Sequence, residues 1–359
     1  MEQILRIQRC MDKASRGETV TLAFLGGSIT QGSLATSPKK CYAYLVYEWW
    51  KTTFQNSNII YVNSGIGGTS SYFGVARVEE DVLRYKPDFV VIDFSVNDDP
   101  SEFFQETYEG LIRRLIKNGI GILILNHVCY DTGCNAQWYH NEVGNYYNIP
   151  YVSMKDTLYR QMQEGHYTRD ELTEDGLHPN DRGHRLVADQ VIRVLQKIQK
   201  ERGNAFSIYK EINIDEKKPL TKNRYENTKR LNSRNSKPKL FGFQVDMEEQ
   251  NGCSDCFKNG WIGEKIGDRI VFQIKAKSIA IQYRKTIKKP SNIAKVTIDN
   301  NESSSVILDG NFEENWGDCL YLQQIFLSET REEHSVEIEV IQGEKENRSP
   351  FYFASILYT

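Results

Sequence analysis

Over the first two hundred residues, short apolar runs alternate with stretches of helical period. Thr21-Leu-Ala-Phe-Leu25 is a short apolar run that ends in Gly26-Gly27, and Tyr42 to Phe54 is long, aromatic and helical in spacing. Ile59-Ile-Tyr-Val-Asn63 again leads into glycines, and Val75 to Tyr85 reads as a helix. Asp88 to Phe94 and Gly121 to Asn126 are continuously apolar, as strands covered on both faces are. Phe103 to Lys117 is helical between them, and Pro150-Tyr-Val-Ser153 is a short fifth strand. Asp181 to Lys200 carries Leu186, Val187, Val191, Val194, Leu195 and Ile198 on one face, while Ile4, Ile7 and Met11 predict an N-terminal helix. This rhythm predicts a parallel sheet with helices on both faces. In such folds the working residues lie beyond the C-terminal ends of the strands.

The pattern changes after residue 200. Lys217 to Lys239 holds nine basic residues and one acid, Glu226, which reads as a solvated connector. Beyond Leu240, Arg269–Ile274, Ser278–Tyr283, Ala294–Ile298, His334–Val340 and Phe351–Tyr358 are strands separated by Gly, Asn, Asp and Pro turns. They predict an antiparallel β-sandwich. The expected organisation is an α/β domain over 1–205, a linker over 206–239 and a β-sandwich, carbohydrate-binding-like domain over 240–359. A length of 359 residues agrees with two domains.

Charge narrows the partners. Lys plus Arg is 45 and Asp plus Glu is 48, a net charge of -3, which argues against a nucleic-acid partner. No run approaches the ~20 apolar residues of a membrane span. The N-terminus lacks the apolar core and cleavage site of a signal peptide. Seven cysteines without a dense framework fit free thiols in a reducing compartment, so the expectation is a cytoplasmic protein.

Four clusters follow strand ends. Ser28, in Gly26-Gly-Ser-Ile-Thr30, sits on a glycine turn where a hydroxyl projects and a helix-start amide can face an anion. Asn63-Ser-Gly-Ile-Gly-Gly-Thr69 lets backbone approach a ligand closely. Ser95-Val-Asn-Asp98 offers the side-chain amide of Asn97, and Asp175-Gly-Leu-His178 places a carboxylate three residues ahead of an imidazole. A nucleophilic serine needs a base, the base an orienting carboxylate, and acyl transfer needs donors for its oxyanion. Each cluster alone is commonplace, but all four in order point to ester chemistry.

These blocks resemble those of the SGNH hydrolases, also called GDSL esterases and lipases, over residues about 20 to 200. The resemblance implies a flavodoxin-like three-layer α/β fold, with Ser28 as nucleophile, His178 as base and Asp175 as acid. It assigns the oxyanion hole to the Ser28 amide, Gly68 and Asn97, with Gly67 the neighbouring alternative for the glycine. Gly27 stands where the family name expects Asp, a residue outside the triad. Gly-Gly-Ser-Ile-Thr, Gly-Ile-Gly-Gly-Thr, Arg77 and the C-terminal β-domain together are similar to two-domain bacterial carbohydrate acetylesterases.

The implied function is removal of acetyl or other short acyl groups from sugars or oligosaccharides, without metal or cofactor. Alternatives are a lysophospholipase or thioesterase of the same superfamily, or a carbohydrate-binding protein with an inert triad. Trp316 and Trp261 in the sandwich, and His127 after the fourth strand, are candidate substrate contacts. Trp49 and Trp50 read as core. Gly65-x-Gly67 fails as a dinucleotide loop because Ser70 replaces the third glycine. Cys253-Ser-Asp-Cys256 lacks a second pair at zinc-site distance.

Overall fold

In the computed structural model, which describes residues 2–201, 213–343 and 348–359, five parallel strands carry the first of two units, Met1–Asn227. They are β1 (Val20–Gly26), β2 (Ile59–Gly65), β3 (Phe89–Asp93), β4 (Gly121–Asn126) and β5 (Tyr151–Ser153), in the order β2-β1-β3-β4-β5. The helices are α1 (Glu2–Ser15), α2 (Ser28–Gln31), α3 (Tyr42–Thr53), α4 (Ser71–Asp81), α5 (Glu102–Lys117), α6 (Gln137–Tyr146), α7 (Arg160–Gln163), α8 (Arg169–Leu172) and α9 (Asp181–Lys200). The sheet buries both faces, which explains the continuous apolar runs of β3 and β4. Leu22, Phe24, Phe89, Val91, Leu123 and Leu125 share one core with Ile7 and Met11 of α1, Val46 and Trp50 of α3, and Val187, Val191 and Leu195 of α9. On the other face a Cβ at Gly144 of α6 would lie 2.9 Å from Ile124 Cδ1, and one at Gly74 of α4 would lie 2.8 Å from the Phe94 ring.

The register matters more than the count of strands. Gly26 pairs with Gly65 on one side and Asp93 on the other, so β1, β2 and β3 end level. Because β1 lies between β2 and β3, the turns that follow these three strands emerge side by side. Arg77 of α4 is fully buried and fixes this edge, donating to the carbonyls of Gly26 (3.0 Å) and Ser64 (2.8 Å) and to Asp81 (2.9 Å).

The chain after α9 differs from the expected free linker. Residues 206–212, and with them the expected 205/206 boundary, lie outside the described residues. Residues 213–227 belong to the first unit and are tied to α5. The fully buried Glu109 accepts from the amides of Leu220 (2.6 Å) and Thr221 (2.7 Å), from the Thr221 hydroxyl and from Tyr147 (2.5 Å). Arg113 pairs with Glu226 at 2.7 Å and donates to the carbonyls of Ile214 and Lys217. Glu106 receives the amide and guanidinium of Arg224. Buried acids on α5 thus neutralise part of the basic run and satisfy its backbone, which composition alone does not reveal.

The second unit, Thr228–Thr359, starts within the expected linker. It contains β6 (Lys229–Leu231), β7 (Lys239–Phe241), β8 (Gln244–Val245), β9 (Trp261–Gly263), β10 (Arg269–Lys285), β11 (Ile293–Ile298), β12 (Val306–Asp309), β13 (Cys319–Gln342) and β14 (Phe351–Tyr358). Every pairing between these strands is antiparallel, along the order β12-β11-β13-β10-β14-β9-β8 with β6 on β14 and β7 on β10. β10 is one 17-residue strand where the sequence suggested two, with register shifts at Ala276/Ser278 and Ile279/Ala280 that bend it. Its core gathers Ile270, Phe272, Ile281, Val296, Ile338, Phe351 and Phe353. Among the described residues no helix is long and apolar enough to cross a membrane.

Truncating Glu109 tests the docking of residues 213–227. Glu109→Ala leaves buried donors unsatisfied, each worth about 1–3 kcal/mol. We expect a lower melting temperature and new tryptic cleavage after Lys217 and Lys222. An unchanged melt and digestion pattern would show that other contacts hold the segment.

Candidate active site

The turn after β1 presents Ser28 as the first residue of α2. Its Oγ lies 2.7 Å from His178 Nε2, and His178 Nδ1 lies 2.6 Å from Asp175 Oδ2. With the Asp175 carboxylate as acceptor, the proton sits on Nδ1, and the Nε2 lone pair receives the Ser28 hydroxyl. Asp175 also accepts the amides of His178 (2.8 Å) and Leu177 (2.9 Å) on Oδ1. Partial burial pushes its carboxyl pKa up, but the hydrogen bonds from the His178 ring and these two amides outweigh burial and hold it below the usual carboxylate range. The loop is fixed at both flanks. The Tyr130 amide donates to Gly176 O at 2.7 Å, and Asn180 caps α9 through the Gly183 amide at 2.9 Å.

The other two turns supply donors. After β2, the Ile66 amide donates to Gly26 O (3.1 Å) and the Gly67 amide to Gln31 Oε1 (2.7 Å). Among the described residues the Gly68 amide has no partner, which favours Gly68 over Gly67 as a donor to a bound oxygen. Gly68 has φ +67°, a conformation that strains other residues. Asn97 follows β3 in a turn closed by its amide on Phe94 O (2.9 Å). Its side-chain amide and the Ser28 backbone amide likewise have no partner among the described residues. A Cβ on Gly27 would lie 2.2 Å from Asn97 Oδ1 and 3.1 Å from Nδ2. The Asn97 amide therefore packs on the residue preceding Ser28, and an aspartate at 27 would require the Asn97 side chain to turn aside. A Cβ on Gly67 would fall 3.7 Å from Ser28 Cβ, so the glycine loop also borders the serine.

Beneath Ser28 lies a buried polar layer that the sequence reading did not assign. Thr30 bonds Asp93 Oδ2 (2.9 Å) and the Tyr42 hydroxyl (2.7 Å). Burial pushes the Asp93 carboxyl up to about 7, more than its Thr30 hydrogen bond offsets. His127 Nε2 stands 3.6 Å from Asp93 Oδ2. Burial, followed by repulsion from His184 and His178, pushes His127 down to about 3. Between about pH 3 and pH 7 the two therefore rest as neutral groups. The sequence reading named His127 as a substrate contact but not its place beside Asp93.

Two expected substrate contacts are overturned. His127 is 0% exposed and cannot border a pocket, because β4 delivers it beneath the turns. Trp261 is 1% exposed, stacked on Phe353 at 5.1 Å and edge-on to Phe272 at 5.3 Å, so it is sandwich core. Trp316 is 54% exposed, supported edge-on by Phe312 at 4.9 Å, with its indole N–H on Glu314. Trp50 is core as expected. Among the described residues no group of three or more His, Cys, Asp or Glu side chains is placed to hold a metal ion.

Residues 24–186 match the family model of the GDSL-like lipase/acylhydrolase family. A comparison with curated proteins gives no match. Among solved structures, the chain is similar to a two-domain esterase (CEX) active on acetylated mannans, at 43% identity and TM-score 0.94, covering 98% of this chain and 94% of that one. A crystal structure of a two-domain esterase of the same description, co-crystallized with mannopentaose, matches at 42% identity and TM-score 0.92 over 98% of this chain and 94% of that one. The turn that carries Ser28 and two further turns begin level at three strand ends, a fourth turn brings His178 to the serine, and a whole-chain likeness accompanies this geometry: the protein belongs to the GDSL-like lipase/acylhydrolase family of carboxylic ester hydrolases.

Proposed function

We propose that the protein is a serine esterase that removes acetyl groups from sugars or oligosaccharides. The observation that carries this reading is the chain of hydrogen bonds from Ser28 Oγ through His178 to Asp175, at 2.7 and 2.6 Å. His178 takes the Ser28 proton as Oγ attacks the ester carbonyl, and Asp175 stabilises the imidazolium that forms. The oxygen that becomes negative is met by the Ser28 amide, the Gly68 amide and Asn97 Nδ2, donors not engaged elsewhere among the described residues and therefore available without rearrangement. His178 then gives its proton to the departing sugar hydroxyl. Water then attacks the acyl carbonyl as His178 takes its proton, and His178 returns that proton to Ser28 Oγ as the acyl–Oγ bond breaks and acetate leaves. The preference for acetylated sugars is supported by the likeness to an esterase active on acetylated mannans. A cytoplasmic location is part of the proposal, supported by seven free thiols.

Ser28→Ala is the direct test. Loss of a nucleophile typically costs several orders of magnitude in turnover. Hydrolysis of p-nitrophenyl acetate and of acetylated mannooligosaccharides should disappear while the melting curve stays. Retained turnover would reject the mechanism, and binding of sugars without turnover by the wild type would favour a binding module instead.

The pH profile gives a second check. A general base works only unprotonated. Asp175 is held below the usual carboxylate range, so it stays ionised over the acid limb. That limb of log(kcat/KM) should therefore rise with a slope of about one per pH unit, as loss of a single proton requires. A slope near two would mean that a carboxyl titrates together with the base.

Within the second unit, exposed Trp316 is the proposed sugar platform, since a half-open indole stacks well on a pyranose face. Trp316→Ala should raise KM for acetylated mannooligosaccharides about tenfold, equivalent to ~1.4 kcal/mol. Hydrolysis of p-nitrophenyl acetate should not change. Equal effects on both substrates would assign Trp316 to packing.

A further inference from the structure

Asp98 follows Asn97 directly, is almost completely buried, and takes no part in the chemistry described above. Its two oxygens face different elements. Oδ1 accepts the Ser71 amide at 2.8 Å, at the first residue of α4, and Oδ2 lies 3.0 Å from His140 Nε2 on α6. His140 is itself buried and stacked on Tyr108 of α5, with ring centroids 3.8 Å apart and planes 3° from parallel. That stack fixes the plane of the imidazole, whose Nε2 faces Asp98.

The Ser71 contact is the informative one. Ser71 lies three residues beyond Gly68, at the end of the glycine loop. The start of that loop is already held by Gly67 on Gln31, a residue of the same helix as Ser28. The Asp98 carboxylate thus clamps the far end of the loop that carries one oxyanion donor, while its own backbone carries the other. The Ser71 hydroxyl adds a bond to Thr107 at 2.7 Å, which fastens the same corner to α5.

We propose that Asp98 is a positioning residue that sets the spacing between the Gly68 amide and the Asn97 side chain, with His140 as its anchor. This rests on the oxyanion reading given above. Three elements meet at one carboxylate: the turn after β3, the start of α4 and the stacked ring of α6. Without it, Asn97 and the glycine loop are each still folded but no longer referenced to one another. Donors aimed at a developing charge lose their value quickly when displaced, and a shift of about 1 Å can cost up to about 100-fold.

The test compares four single variants and one double variant in steady-state hydrolysis of p-nitrophenyl acetate, with thermal melts as a folding control. Asn97→Ala should lower kcat about 100–1,000-fold, as loss of one oxyanion donor does. Asp98→Ala should lower kcat about 10–100-fold with KM within twofold. Asp98→Asn, which keeps an acceptor for the Ser71 amide, should recover most of that loss. In the Asn97→Ala background, Asp98→Ala should cost distinctly less than it does alone, because one of its two clients is gone. His140→Phe keeps the stack on Tyr108 but deletes the anchor, and should lower kcat several-fold, which preserves the test if Asp98→Ala does not fold. Full additivity of the Asp98 and Asn97 losses, an effect confined to KM, or wild-type kcat in both Asp98→Ala and His140→Phe overturns the proposal. If Asn97→Ala itself keeps wild-type kcat, it is the oxyanion reading that fails, an outcome distinct from the others.

Discussion

Three parallel strands that end at the same level govern the geometry of the first unit. Gly26, Gly65 and Asp93 lie opposite one another across β2, β1 and β3, so each turn begins where its neighbours begin. A parallel ladder cannot slip one strand by one residue without turning its buried side chains to the wrong face. The position of Ser28 relative to Gly68 and Asn97 is therefore inherited from the packing of Leu22, Phe24, Val91 and their partners, not set locally. Arg77, buried against Gly26 O and Ser64 O, secures that level edge with a charge that burial makes costly to leave unpaired. The fourth turn, with Asp175 and His178, comes from far along the chain and needs its own fastenings, through Tyr130 and the Asn180 cap.

Below the surface turns, the first unit keeps a polar layer whose members rest uncharged. Asp93, pushed up to about 7, and His127, pushed down to about 3, share a buried neighbourhood with Thr30 and Tyr42. The buried charges near the serine are Arg77, held on Gly26 O and Ser64 O, and Asp98, held by the Ser71 amide and His140. The carboxylate that matters to His178 is instead the more open Asp175, kept ionised by hydrogen bonds.

What could be read from sequence followed from periodicity and from strand-end composition. The apolar runs of β3 and β4 and the stripe of α9 state their environment directly, and the four blocks name their chemistry. The helix α6 was missed because its buried positions are His140, Val143 and Gly144, a face too polar to show a period. Trp261 and His127 were misread for a common reason: residue type at a turn or strand end does not tell which way the side chain points. Trp261 turns into an aromatic cluster and His127 turns under the sheet edge. The docked segment 213–227 was hidden because its partners, Glu106, Glu109 and Arg113, are a hundred residues away on α5.

The fit of Asn97 over Gly27 ties two positions seventy residues apart into one unit of change. Any side chain at 27 would have to enter the volume that the Asn97 amide fills. An aspartate there requires the flexible end of the Asn97 side chain to turn aside, so the side chain at 27 also bears on where the Asn97 amide points. A library that samples position 27 therefore reads the aim of that amide as well as the fit of the turn.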